Sequence, residues 1–220
     1  MNFRALLLAA SSAALLGACA SSTNPIVQTF QAAFQRDAGV DGAKLNPDFR
    51  YLRVTIADRT VLLVLGYEER DPRGPIEVWY SAEREVLKLQ QGRVIGVIGT
   101  TTEWRNVRLP ELPAWSALAR QSAPRRWVRT RDVMPGYRYG LREALLVGPA
   151  PAPEKSALRE LDAGSLAWFE ERVEAPSPGA SALPPARYAV RIADGKETVV
   201  YGEQCLAPEL CFTWQRWPAG

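Results

Sequence analysis

The chain is expected to fold as an all-β protein: a single antiparallel β-barrel or sandwich-like domain of about ten strands, with a short N-terminal helix. Three observations carry that expectation. From Phe49 onward apolar residues recur at every second position in short runs, the spacing of strands with one buried face. The runs are separated by turn chemistry, such as Gln91-Gly92 and Asp194-Gly195. Helical spacing is confined to two brief stretches. A hydrophobic content of 47% with 23% charged residues suits a globular fold with a real core.

The elements follow in order. "IVQTFQAAFQRD" reads as the helix: Asn24 is a suitable N-cap, Pro25 fits the first helical position, and Ile26, Phe30, Ala33 and Phe34 share one face. Its polar face carries Gln rather than the Lys and Arg of an interfacial helix, so packing against the domain is expected. "FRYLRVTIA" alternates Leu52, Val54 and Ile56 against Arg53 and Thr55, and "TVLLVLGY" follows as a more continuously apolar strand. "IEVWYS", "REVLKLQ" and "RVIGVIG" extend the meander. "LPELPAWSALARQ" is expected to give a loop and one or two helical turns, with Pro113 near their start. Strands resume with "RRWVRTRDV", "YRYGLREALLV", "LAWFEERVE", "RYAVRIA" and "ETVVYGE", and "CFTWQRW" closes the chain. The Pro-rich stretches "GPAPAPEK" and "EAPSPGASALPPA" flank runs that need partners from elsewhere. They are therefore read as long surface loops of one domain over 26–220.

Ahead of the helix stands the layout of a secretory signal: Arg4, the mostly apolar run Ala5 to Leu16, then Gly17 and Ala18. The run is shorter than the roughly 20 apolar residues that span a bilayer. Leu16-Gly17-Ala18-Cys19 resembles the lipobox of bacterial lipoproteins. That resemblance implies that residues 1–18 are removed, that Cys19 is lipidated and that 19–25 form a tether. Two acyl chains suffice for stable anchoring. Ala20-Ser21 lacks the aspartate that would follow the Cys in an inner-membrane protein, so the pattern resembles that for the outer membrane, with the domain in the periplasm.

Charge and residue usage narrow the chemistry. The net charge of +3 includes Arg4 and is too small to argue for nucleic acid. Arg supplies 23 of the 27 cations, and its planar fork suits carboxylate and phosphate groups. The chain has no histidine. Ser-His-Asp and Cys-His sites are therefore excluded, with most catalytic zinc sites, and no metal or cofactor is expected. Only carboxylate pairs remain as a catalytic option. Cys205 and Cys211, in "EQCLAPELC", read as a disulfide in an exported chain, because their spacing is not the C-x-x-C of oxidoreductases. Closing so short a loop stabilises by about 2.4 kcal/mol at most in the chain-entropy account.

Two stretches suit contact with an anionic glycan. In "RRWVRTR" a strand puts Arg125, Trp127, Arg129 and Arg131 on one face. In "YRYGLRE", Arg138 and Arg142 share a face opposite Tyr137, Tyr139 and Leu141. Arg can fork onto uronate carboxylates while an aromatic ring stacks on the sugar, and pairing of the two strands would merge the Arg faces into one patch. The plainer alternative is a solvated strand face whose Arg stems cover apolar neighbours.

"EVWYSAEREVLKLQQGRVIGVIGT" resembles a motif of the YjbF/GfcB family of exopolysaccharide and group 4 capsule lipoproteins, with Trp79, Leu87, Leu89, Gly92, Arg93 and Gly99 at the matching positions. "YGEQCLAPEL" is similar to that family's C-terminal signature, with Gln204 and Pro208 in place and Gly202 where Ser is usual. The resemblance implies a β-barrel-like lipoprotein with no established catalytic residues. Such a protein would serve as a non-enzymatic accessory or scaffold, partnered by polysaccharide export machinery or other envelope proteins. Two other readings stay open. One is a structural envelope protein that binds only proteins. The other is a glycan-processing enzyme with two carboxyl groups about 5–9.5 Å apart in a cleft.

Overall fold

The computed structural model describes residues 39–175 and 182–219. The signal, the tether, Cys19 and the expected N-terminal helix lie outside the described residues, as does the middle of the second Pro-rich stretch.

Twelve strands form one antiparallel sheet that closes into a ring: β1 (Tyr51–Ile56), β2 (Arg59–Glu69), β3 (Ile76–Tyr80), β4 (Val86–Gln90), β5 (Arg93–Ile98), β6 (Glu103–Arg108), β7 (Arg125–Met134), β8 (Arg138–Pro149), β9 (Ala167–Ala175), β10 (Ala186–Ala193), β11 (Lys196–Ala207) and β12 (Leu210–Trp217). Each strand pairs with its neighbours in sequence, and β1 closes the ring against β12 from Tyr51↔Trp217 to Ile56↔Phe212. Every run expected as a strand becomes one; the addition is β6. Its sequence, EWRNVR, has only Trp104 and Val107 as apolar residues. Their separation breaks the period of two, because the strand is irregular around Asn106, whose φ is 49°.

A ring of this size encloses more space than an eight-stranded one, whose interior side chains just fill. Here large side chains fill it. Trp79, Trp104 and Trp214 are fully buried, packed with Leu52, Leu145 and Phe169. Gly202 makes room for this: a Cβ there would stand 2.6 Å from the Trp214 indole nitrogen. Gly92 is required twice over, by a φ of +77° and by Val199, 2.4 Å from where its Cβ would sit.

One end of the ring is plugged. The expected helical turn forms as α1 (Trp115–Ala119) and buries Trp115 and Leu118. The backbone N–H groups of Trp115 and Ser116 donate to the Glu197 carboxylate at 2.9 and 2.8 Å, and the Trp115 indole donates to the Gln91 carbonyl at 3.1 Å. These bonds satisfy first-turn donors that would otherwise be orphaned in a short helix. The segment after the first Pro-rich stretch lies clamped on the outer face of the sheet. Ala157 N–H donates to the Tyr201 hydroxyl (3.1 Å), and the Gln215 amide exchanges two bonds with the Arg159 backbone (2.9 and 2.7 Å). Leu158 and Leu161 pack there against Trp168 and Tyr201.

Candidate functional site

Strand alternation sends Trp127, Arg129 and Arg131 of β7 into the ring, where they are 8%, 3% and 3% exposed. The anionic partners come from adjacent strands. Glu143 stands directly opposite Arg129 in the β7–β8 register and shares its face with Leu145 and Val147, and Glu171 projects from β9 on the same parity as Phe169. The result is a line of alternating charges through the interior. Arg93 lies 3.8 Å from Glu171, Glu171 is 3.3 Å from Arg129, Arg129 is 2.8 Å from Glu143, and Glu143 is 2.6 Å from Arg131. Glu143 accepts from both arginines, through Nε and Nη2 of each. The Trp104 ring lies beneath both guanidinium groups, 4.5 and 4.1 Å from its centroid.

Burial alone would raise the Glu143 carboxyl. The hydrogen bond from Arg131 and the charge of Arg129 outweigh it and hold the group at about 2. Burial likewise works against the charge on Arg93, which Glu171 favours. Burial first, and Glu171 second, push the Tyr188 phenol well above its ordinary value.

The two ends of this line differ. At the plugged end Arg93 stacks on Trp115, 3.7 Å from the ring centroid, with Trp127 at 5.3 Å and Tyr188 at 5.9 Å. None of its guanidinium nitrogens has a hydrogen-bond partner among the described residues. At the other end no helix caps the ring among the described residues. A cavity of about 210 Å³ lies among the β5–β6, β7–β8 and β11–β12 turns, and Arg131 lines it with Thr102, Pro135, Arg138, Leu183 and Pro208. Arg131 Nη1 is buried and has no hydrogen-bond partner among the described residues. A smaller apolar recess of about 70 Å³, walled by Val54, Leu63, Leu87 and Phe212, adjoins it across Leu206. The β7–β8 turn and the start of β8 carry the exposed rings of Tyr137 (74%) and Tyr139 (63%).

The expected glycan-contact residues are thus divided. Trp127, Arg129 and Arg131 do not form a solvated patch; they point inward, because Glu143 and Glu171 meet them there. Arg138 lines the mouth, while Arg142 lies opposite Thr130 on the outer face, so no merged Arg patch forms. The Cys205–Cys211 disulfide forms across the β11–β12 hairpin, whose tip bears Pro208. Gln204, buried, donates to the Cys205 carbonyl at 3.0 Å. The C-terminal signature therefore builds one wall of the mouth. Trp79 is core, its indole donating to Glu77 at 3.3 Å, and Gly99 turns the chain after β5 with a φ of +90°. Sequence reasoning missed Glu143, Glu171 and the placement of Arg93. Their signal was parity with Leu145, Phe169 and the apolar face of β5. Among the described residues no group of acidic, Cys or His side chains could hold a metal ion, and no helix is long and apolar enough to cross a membrane.

Among the described residues, twelve strands closed around an ionic interior and plugged at one end define a barrel-like all-β domain with a polar recess at the other end. The sequence model of the group 4 capsule polysaccharide lipoproteins (GfcB, YjbF) matches residues 29–212, and the chain belongs to that family. The family places it in capsule or exopolysaccharide production as a lipoprotein. The crystal structure of the hypothetical lipoprotein YmcC from Escherichia coli is similar in fold. It is 17% identical, with a TM-score of 0.61 over 89% of this chain and 96% of that one. Among curated proteins, none matches.

Proposed function

We propose that this protein is an outer-membrane lipoprotein whose periplasmic domain is a non-enzymatic accessory to the assembly or export of exopolysaccharide or capsule. In this role it works beside the export machinery and contacts acidic glycan. The family match over residues 29–212 carries the reading. Its non-enzymatic part is supported by the state of the interior carboxylates. A glycosidase acid must be protonated near its working pH, whereas Glu143 is held at about 2 by two arginines. Glu171 is buried between Arg129 and Arg93, and neither carboxylate lines the cavity at the mouth.

The test is deletion of the gene, with rescue by wild-type and Cys19→Ser forms and secreted polysaccharide as the readout. Loss of polymer restored only by the form that can be lipidated is the expected result. Polymer output that does not change on deletion would sink the export role and favour a purely structural envelope protein.

A further inference from the structure

The line of five interior charges contains three arginines and two glutamates, so it carries one positive charge in excess. Arginine does not give up its proton in a protein, and an unbalanced charge in a low-dielectric interior is costly. At the plugged end the excess is moderated: Arg93 lies against three aromatic rings and feels the charge of Glu197. At the mouth Arg131 is bonded to Glu143 and lines the cavity, and its buried Nη1 has no hydrogen-bond partner among the described residues. Among the described residues the rim adds Arg138 and Glu209, one of each sign, which leaves the Arg131 charge at the cavity wall.

We infer that the mouth of the ring is a binding site for a carboxylated sugar residue, with the carboxylate received by Arg131 and Arg138. The inference deepens the export reading and rests on it for the source of the glycan. The remaining lining selects the sugar. Pro135, Pro208 and Leu183 offer C–H surfaces to a pyranose ring, and Thr102 and Glu209 offer partners for its hydroxyls. A bare phosphate would leave the Pro135, Pro208 and Leu183 surfaces uncovered and Thr102 without a sugar hydroxyl to bond. Tyr137 on the adjoining turn and Tyr139 at the start of β8 can stack on sugar units that continue outward.

The experiment is calorimetric titration of the mature lipoprotein in detergent with oligogalacturonate, with an uncharged glucose oligomer and with inorganic phosphate. The Trp104 indole N–H, bonded at 3.0 Å to the Leu206 carbonyl on the cavity wall, serves as the NMR reporter of location. Oligogalacturonate should bind, weaken as salt rises and shift the Trp104 resonance. Ala207→Phe, which takes up cavity space while leaving every member of the ionic line in place, should weaken binding at least tenfold, and Arg138→Gln should weaken it several-fold. The site is overturned by absence of uronate binding, by undiminished binding to Ala207→Phe, or by phosphate or neutral glucan binding as tightly as uronate. The export role fails separately. Uronate binding lost in Ala207→Phe while polymer output stays normal leaves the site standing without an export purpose. A polymer defect on deletion, with no uronate binding to wild type, leaves the role standing and removes the site.

Discussion

Both faces of β7 carry arginine, and the arginines of the two faces have opposite fates. Arg129 and Arg131 face inward, enclosed with Trp104 and shared between Glu143 and Glu171. Arg126, on the other face, reaches Glu174 at 2.5 Å with both side chains largely in water, and Val128 beside it is 36% exposed. A charged strand face is therefore not by that fact an outer face. What decides is whether neighbouring strands place counter-charges in register, and how much space the ring must fill.

The largest break in this comparison is Glu143→Ala. It strips two buried guanidinium groups of their principal partner, and removing one member of a buried ion pair costs about 3–5 kcal/mol. Denaturant unfolding should show that loss, whereas Glu174→Ala on the outer face should move the midpoint little. Equal effects would mean that the inner arginines reach water and that the two faces do not differ as described.

Acid should break the inner face next. The Glu143 carboxyl sits at about 2 in the folded chain against an ordinary 4.5, so its folded-state pKa is depressed. Its stabilisation is fully present above about pH 4.5 and is lost as pH falls from there toward 2, a loss of the order of 3 kcal/mol. Unfolding measured at pH 7, 4 and 2 should show the fall in wild type and a shallower one in Glu143→Gln. Identical pH profiles would remove Glu143 as the source.

The period of two in "RRWVRTR" was legible, and so was the sharing of a face by Trp127, Arg129 and Arg131. Sidedness was not. It depends on Glu143 and Glu171, which are placed by β-pairing, and pairing register is a property of the closed ring rather than of any local run. The β-class, the disulfide pair, α1 and the meander were readable because each rests on local spacing. β6 was not, since Asn106 breaks its alternation. The mouth was readable only in pieces: Pro208 by family resemblance, and Arg131 and Arg138 as glycan candidates for a reason the structure revises for Arg131. Four connections distant in sequence had to meet before a cavity existed.

The smallest expected effect sharpens the comparison most cleanly. A double-mutant cycle on Arg126 and Glu174, with Ala at each position, should give a coupling of about 0–1 kcal/mol, as for other exposed pairs. The same cycle on Arg131 and Glu143 should give a coupling several times larger, because low dielectric strengthens the attraction and each single variant leaves a buried charge behind. Raising the salt should erase the outer coupling and leave the inner one nearly unchanged, since ions screen exposed pairs far more than buried ones. An inner coupling as small and as salt-sensitive as the outer one would mean that water reaches along the line from the mouth. The excess charge on Arg131 would then be solvated rather than held for an anion.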